Sequence, residues 1–231
     1  MLQSGSQIQI AGMIGEIPAP RKAAEASRIA IGDNAPLYEL SQSKISPWPG
    51  SAYPPDWQLR PARVHEAEGQ GALAFALYQM TQHRGAILLI TLARQPWQLM
   101  PVDLPQGVSE RLLLIRAKSE EDLLWATEEA LRSAPVGLVI VQPEKPLSLT
   151  TGRRLQLAAE AGQTTGILLI STGQGSNAAE TRWQCDPKPG SADSTPQNWI
   201  LIKNKSGTLK GWTVDWDGKA ATGHRIHEVC E

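Results

Sequence analysis

The segment RVHEAEGQGALAFAL, at residues 63–77, gives the clearest indication of the fold. It predicts a loop that ends near Gly71 and opens an apolar helix over residues 72–80, and the run AILLIT follows at residues 86–91. A helix that is apolar nearly all round is buried, and a strand without alternation is buried on both faces. The order of loop, helix and buried strand therefore predicts an α/β architecture of the nucleotide-binding type.

The same segment lacks the groups that a phosphate-binding loop requires. In the consensus G-x-x-x-x-G-K-[ST], backbone amides cradle the phosphates, the Lys neutralises them and the hydroxyl holds Mg²⁺. With the last glycine set on Gly71, alanine and leucine take the Lys and hydroxyl positions, and Glu66 and Glu68 lie where a polyanion would bind. We therefore predict a degenerate nucleotide site at Glu66, Gly69, Gly71, Ala72 and Leu73. An ordinary strand–loop–helix unit without this ancestry is the alternative.

Further buried strands alternate with helices along the chain. Apolar runs at residues 111–117, 137–142 and 166–172 predict strands, and helices are predicted between them. One helix begins at Ser119, an N-cap followed by three acidic residues, and another covers residues 150–161 with Gly162 just beyond its end. Alternating runs at 181–185, 199–203 and 212–216 predict antiparallel strands. The fold class predicted is α/β: a mostly parallel sheet covered by helices, with antiparallel strands at the C-terminal edge.

Composition narrows the class of protein. The 231-residue chain has a formal net charge of −1, so it has no overall basic field for nucleic acid. Cys185 and Cys230 are far apart and show no metal-binding spacing, and we expect neither a metal nor a cofactor. His224 and His227 alone are a poor metal site. Neither a signal peptide nor a membrane span is expected, which predicts a cytoplasmic protein with no membrane partner.

Three regions are predicted from these patterns. Residues 1–61 form a Pro-rich N-terminal arm with one helix at 21–31 and a short strand at 37–40. Residues 62–217 form the core domain, and residues 218–231 form a C-terminal tail. Trp48 and Trp57, within the arm, are expected either to cover the core or to anchor it to another surface.

Several motifs resemble those of one family. They are LLWATEEALRS at 123–133, GRRLQLAAEAGQTTGILLI at 152–170, and the short elements RW, KNK and WD at 182–183, 203–205 and 216–217. Together they resemble the ImuA family, RecA-fold relatives encoded with mutagenic translesion-synthesis cassettes. The resemblance covers residues 62–217, whereas the family's L-P-x-G and G-G-G-L elements are not visible in the arm. It implies a RecA-like core and a role in the SOS response to DNA damage.

The wider RecA resemblance implies that ATP chemistry has been lost. No acidic residue lies between Gly85 and Met100, where RecA-like ATPases carry the catalytic glutamate, and Gln142 stands where the Walker B aspartate is expected. The lysine-asparagine-lysine element of RecA is kept at Lys203, Asn204 and Lys205. We therefore expect a protein that is not an enzyme. Lys203 and Lys205 are expected to project from the end of an edge strand towards a neighbouring protomer or a RecA filament.

The resemblance implies a non-catalytic mutasome protein. Its expected partners are RecA, the Y-family polymerase-like ImuB and an error-prone replicative-type polymerase, with self-association left open and DNA bound weakly or indirectly. Candidate partner residues are Lys203, Asn204, Lys205, Trp125, Arg153 and Arg154, and candidate DNA contacts are Arg182 and Lys210. Trp125 could instead cover the core, and the two arginines could pair with groups such as Glu160. The alternative functions are a SulA-like cell-division inhibitor and a weak, unconventional RecA-like ATPase.

Overall fold

The computed structural model of the protein describes residues 9–10, 58–95, 99, 104–190, 195–205, 207–216 and 225–229. In chain order its elements are β1 (Gln9–Ile10), β2 (Val64–Glu68), α1 (Ala72–Gln82), β3 (Ala86–Leu92), β4 (Leu112–Ala117), α2 (Glu120–Arg132), β5 (Val136–Val141), α3 (Leu149–Gly162), β6 (Thr165–Leu169), β7 (Thr181–Pro187), β8 (Gln197–Asn204), β9 (Gly211–Asp215) and β10 (Arg225–Val229). The helix and strand predicted at 21–31 and 37–40, as well as Trp48 and Trp57, lie outside the described residues.

Within the described part of the chain, the ten strands form one mixed sheet. Their order is β1-β4-β3-β5-β6-β2-β7-β8-β9-β10. The strands from β4 to β7 in this order are parallel, and β8, β9 and β10 continue the sheet in antiparallel pairs. The predicted fold class is confirmed, and the topology is consistent with a RecA-like α/β fold.

Two apolar layers enclose the sheet. On one face, α1 packs with Phe75 and Met80 against alternate residues of β3, β5 and β6, and the tryptophans of β7, β8 and β9 extend this layer. On the other face, α2 and α3 pack with Leu123, Leu131 and Leu155 against the remaining residues of the same strands. Because successive side chains of a strand point to opposite faces, continuous apolar runs are needed to fill both layers.

The ends of α2 and α3 follow from local chemistry. The Ser119 side chain accepts a hydrogen bond from the Asp122 amide at 3.1 Å, as predicted for an N-cap. The sequence predicts Gly162 just beyond the end of α3, but it is the last helical residue, and the left-handed residue is Gln163 with φ 55°. A Cβ on Gly162 would collide with the backbone of Leu131 and Arg132. The glycine therefore allows close approach of α3 to α2.

Strand β2 corrects the prediction for residues 63–77. The sequence pattern predicts a loop at residues 64–68, but these residues form a buried strand between β6 and β7. The sequence pattern did not predict this strand because it contains two glutamates and a histidine, whereas buried strands are normally apolar. Residues 9–10 of the predicted arm and 225–229 of the predicted tail add β1 and β10 to the sheet. None of the helices in the described residues is long and apolar enough to cross a membrane.

A buried polar network links β2 to β7. Trp183 donates its indole N–H to Thr181 Oγ1 at 2.9 Å, and Thr181 Oγ1 lies 2.7 Å from His65 Nδ1. His65 Nε2 lies 2.9 Å from the carbonyl oxygen of Arg60. Because a carbonyl only accepts, this contact assigns the proton of neutral His65 to Nε2. Burial lowers the pKa of His65 to about 4.

Candidate functional site

The loop between β2 and α1 is short and its amides are engaged. It contains only Gly69, Gln70 and Gly71, whereas the phosphate-binding consensus has four residues between its two glycines. The Gly71 amide donates to the carbonyl oxygen of Cys185 at 2.8 Å, and the Ala72 amide donates to that of Gly69 at 3.2 Å. Two amides at the position of a phosphate cradle are therefore hydrogen-bonded to the protein's own backbone.

The two glycines of this loop have a packing role. Gly69 has a φ of +92°, and a Cβ there would collide with the carbonyl oxygen of Cys185. A Cβ on Gly71 would lie 2.5 Å from Gln197 Oε1. Cys185 is in β7 and Gln197 begins β8, so the glycines let these strands lie directly against the loop. The structure thus gives a reason for both glycines that does not involve phosphate.

An uncharged pocket lies at the carboxyl ends of the central strands. Its volume is about 220 Å³, and it is lined by Gly69, Gln70, Ala72, Leu73, Gln142, Pro143, Leu169, Ile170 and Ser171. In open α/β sheets, ligands bind outside the carboxyl ends of the strands. Ala72, Leu73 and Gln142 meet here. No lining residue carries a charge, so these side chains supply no cation for phosphate and no carboxylate for Mg²⁺.

Glu66 does not belong to this pocket, contrary to the prediction. It lies in the middle of β2 with 1% of its surface exposed. Its Oε1 accepts from the Ser176 amide and its Oε2 accepts from Arg182 Nε, both at 2.8 Å. Glu68 is also buried and accepts from the Gly173 amide at 3.3 Å. The carboxylates are thus used to hold β7 and the loop that follows β6.

Arg182 is held inside the protein, which corrects its prediction as a DNA contact. Its side chain is 17% exposed, pairs with Glu66, and donates from Nη2 to the carbonyl oxygen of Ser176 at 3.1 Å. A Cβ on Gly175 would overlap the guanidinium, so the loop backbone lies directly against it. Lys210, the other candidate, is half-buried just before β9, and its carbonyl accepts from the Leu201 amide at 2.8 Å.

Lys203 and Lys205 fold back onto the same loop. Lys203 Nζ donates to the carbonyl oxygens of Ser176 and Ala179 at 3.0 and 2.8 Å. Lys205 Nζ donates to that of Ala178 at 2.7 Å. Burial lowers the pKa of Lys203, although Glu66 acts in the opposite direction. β8 also lies between β7 and β9, so the prediction of an edge strand is wrong.

Asn204 ends β8. Its Nδ2 donates to the carbonyl oxygen of Thr208 at 3.3 Å. The contacts of the lysine-asparagine-lysine element therefore fix loops within the chain. A role for this element in partner binding stays a prediction.

The outer faces of α2 and α3 present the remaining candidates to solvent. Trp125 is 50% exposed, so it lies outside the core. Glu128 accepts from Arg132 at 2.6 Å and also pairs with Arg154. These hydrogen bonds lower the pKa of Glu128, and the one from Arg132 has the largest effect. Arg153 is exposed on α3. The arginine pairing expected with Glu160 is therefore made by Arg154 with Glu128.

The sequence patterns did not single out Leu149 and Leu157, which are 45% and 64% exposed on α3. Together with Arg153 and Lys205 they line a groove of about 480 Å³. A sequence pattern could have indicated this exposed face, because both leucines lie four residues from Arg153 and therefore on the face of α3 opposite Leu155.

Fold and site together define a RecA-like α/β protein with an uncharged pocket where RecA-like proteins hold nucleotide. Comparison with known proteins narrows this class. The chain is 30% identical over 122 residues to Protein ImuA of Caulobacter vibrioides, strains NA1000 / CB15N and ATCC 19089 / CIP 103742 / CB 15, covering 45% of this chain and 50% of each relative. This similarity supports assignment of the chain to the ImuA family.

The similarity is partial. The chain spans about half the length of the curated relatives it matches. No protein-family model matches it.

Proposed function

We propose that the protein is a non-catalytic RecA-like component of an ImuA/ImuB-type mutagenesis cassette. In this role it bridges RecA, or RecA-bound DNA, and the ImuB and error-prone polymerase components during damage-induced translesion synthesis. Similarity to Protein ImuA supports the proposal that the protein is part of such a cassette. The observation that carries the non-catalytic part is the uncharged pocket at the carboxyl ends of β2, β5 and β6.

The pocket offers little to a nucleotide. A triphosphate with Mg²⁺ needs a cation, a hydroxyl or carboxylate ligand for the metal, and several free amides. Ala72, Leu73 and Gln142 line the pocket in place of the first two groups, and the Gly71 amide is bonded to Cys185. Each charged hydrogen bond that is missing costs about 1.5–3 kcal/mol of binding energy. A protein with this pocket would act through its surfaces.

A titration with Mg·ATP tests the non-catalytic role. We expect no heat of binding by calorimetry, with a RecA protein as positive control. A dissociation constant tighter than about 100 µM corresponds to roughly 5.5 kcal/mol, which the pocket has no cation to provide. Binding at that level, or ATP hydrolysis that is lost on replacing Gln142, would support the alternative of a weak ATPase.

Capture experiments test the bridging role. The immobilised chain is offered purified RecA, ImuB and the error-prone polymerase of the same cassette, each alone and in pairs. Ternary capture, in which one component is retained only in the presence of this chain, is expected. Binding to a tubulin-like division protein and to none of these three would favour the SulA-like alternative instead.

Direct DNA binding is expected to be weak. Arg182 and Lys203 are engaged inside the protein, so neither is available for phosphate contacts. The salt dependence of binding should therefore be shallow, since its slope scales with the number of phosphates neutralised. Nanomolar binding of single strands by the isolated chain at 150 mM salt would contradict this expectation.

A further inference from the structure

The outer face of α3 carries an apolar groove. It is lined by Leu149, Arg153, Gln156 and Leu157 of α3, by Asn177 and Ala178 of the loop before β7, and by Lys205 after β8. Leu149, Arg153 and Leu157 follow each other at intervals of four residues, which places them on one side of the helix. Leu149 and Leu157 are two of the five large exposed hydrophobic residues among those described.

The base of the groove is fixed. Gln156 Oε1 accepts from the Val64 amide at 3.1 Å, and its Nε2 donates to the carbonyl oxygens of Val64 and Ala178 at 2.8 and 3.1 Å. A Cβ on Gly152 would lie 2.7 Å from that of Ala178, so α3 and the loop are in close contact. These bonds join α3 to β2 and to the loop. A groove built in this way is preformed, which is usual for binding sites.

The rim of the groove is positively charged. Within the described residues, neither Arg153 nor Lys205 has an ion-pair partner, in contrast to Arg154, which is paired with Glu128. The carboxylate of Glu160, which is on the same helix, is paired with Arg63. An occupant with carboxylates next to its apolar side chains would match both the apolar floor and the cationic rim, and like charges would be repelled.

We propose that this groove docks an acidic amphipathic helix of a protein partner, with apolar side chains packed against Leu149 and Leu157 and carboxylates at Arg153 and Lys205. Such helices present anchors at intervals of three, four or seven residues and lay them into apolar grooves. This inference rests on the proposed function, because the partner is sought among the cassette proteins and RecA. It adds the surface and the chemistry of the segment that binds there.

The test measures binding of the full chain to purified ImuB and to RecA by biolayer interferometry. Leu157→Ser should weaken binding to one of these partners at least tenfold, and Arg153→Glu should lower its association rate several-fold in a salt-dependent way. Leu209→Ser is the matched control for the leucine, since Leu209 is 60% exposed outside the groove. Arg84→Glu, at another exposed arginine, is the control for charge. Both controls should bind within twofold of the parent.

The possible outcomes of this test distinguish a failure of the proposed docking surface from a failure of the proposed function. If the parent binds ImuB or RecA, and Leu157→Ser and Arg153→Glu bind as the parent does, the groove is not the docking site while the proposed function stands. If the parent binds neither protein, both proposals fail. A parent dimer in light scattering that Leu157→Ser converts to a monomer would show that a second copy occupies the groove and would overturn the proposed occupant. An unchanged melting temperature confirms that each variant is folded.

Discussion

Glu66 Oε2 accepts a hydrogen bond from Arg182 Nε at 2.8 Å, and this pair joins β2 to β7 inside the protein. The sequence had suggested separate roles for the two residues, one in a phosphate loop and one at DNA. Their mutual contact removes both from the surface. Breaking a buried pair is costly because the remaining charge is left without a partner.

The first prediction concerns this ion pair. Arg182→Met should destabilise the protein by roughly 3–5 kcal/mol, and the double variant Glu66→Leu, Arg182→Met should recover part of that loss. Urea denaturation at pH 7.5 measures both. Arg132→Met is the control, because Arg132 is 49% exposed in its pair with Glu128 and should cost no more than about 1 kcal/mol. Equal effects of the two arginine variants would refute a buried role for Arg182.

Gly69 gives a second prediction. Gly69→Ala should destabilise the protein more than Gly173→Ala, since both glycines have positive φ but only the Cβ at 69 would meet the Cys185 carbonyl. The shared backbone strain is worth about 1–2 kcal/mol, and the collision adds to it. Thermal unfolding gives the comparison. Similar melting temperatures for the two variants would show that the loop does not need Gly69 for packing.

The third prediction separates Lys203 from Lys205. Lys203→Glu should lower stability by about 1–3 kcal/mol, because it unpairs two backbone carbonyls and places a second carboxylate near Glu66. Lys205→Glu, at an exposed residue with one such bond, should stay within about 1 kcal/mol. Chemical denaturation distinguishes them. Only Lys205→Glu is then suitable for testing partner binding, and a stable Lys203→Glu protein would contradict the structure.

A fourth prediction is a pH dependence of stability. The pKa of His65 is about 4 in the folded protein, below the value of about 6.5 in the unfolded chain. The unfolded state therefore binds more protons below pH 6.5, and stability present above that pH is lost as pH falls towards 4. Between pH 7.5 and 5.0 the loss from His65 is about 2 kcal/mol. Burial lowers the pKa of His83 as well, which adds a loss of the same sign.

Replacement of His65 isolates its share of this dependence. His65→Gln costs stability at pH 7.5, since the contacts to Thr181 and Arg60 change. Its difference in unfolding free energy between pH 7.5 and 5.0 should nevertheless be smaller than that of the parent by about 2 kcal/mol. Urea titrations at the two pH values provide the measurement, and parallel pH profiles for parent and variant would argue against a buried neutral His65.

Local sequence was sufficient for most of the fold. The apolar runs of β3, β5 and β6 predicted a buried parallel sheet because no polar residue interrupts them, and Ser119 with its acidic neighbours predicted the start of α2. The sequence also predicted an uncharged site from Ala72, Leu73 and Gln142. The absence of a lysine, a hydroxyl and a carboxylate at these positions can be read from the sequence alone. These are properties of single residues and of their neighbours along the chain.

Contacts between distant residues could be found only in the folded protein. Glu66 and Arg182 are 116 positions apart, and their charges satisfy each other only because β2 lies beside β7. Lys203 and Lys205 donate hydrogen bonds to backbone carbonyls of the loop before β7. No local sequence pattern predicts that this loop lies next to the two lysines. Whether a charged side chain faces solvent or pairs internally depends on which strands become neighbours, because burial makes an unpaired charge too costly to keep. The sequence therefore specified most of the helices and strands, whereas the packing of the sheet decided which charged side chains pair inside the protein.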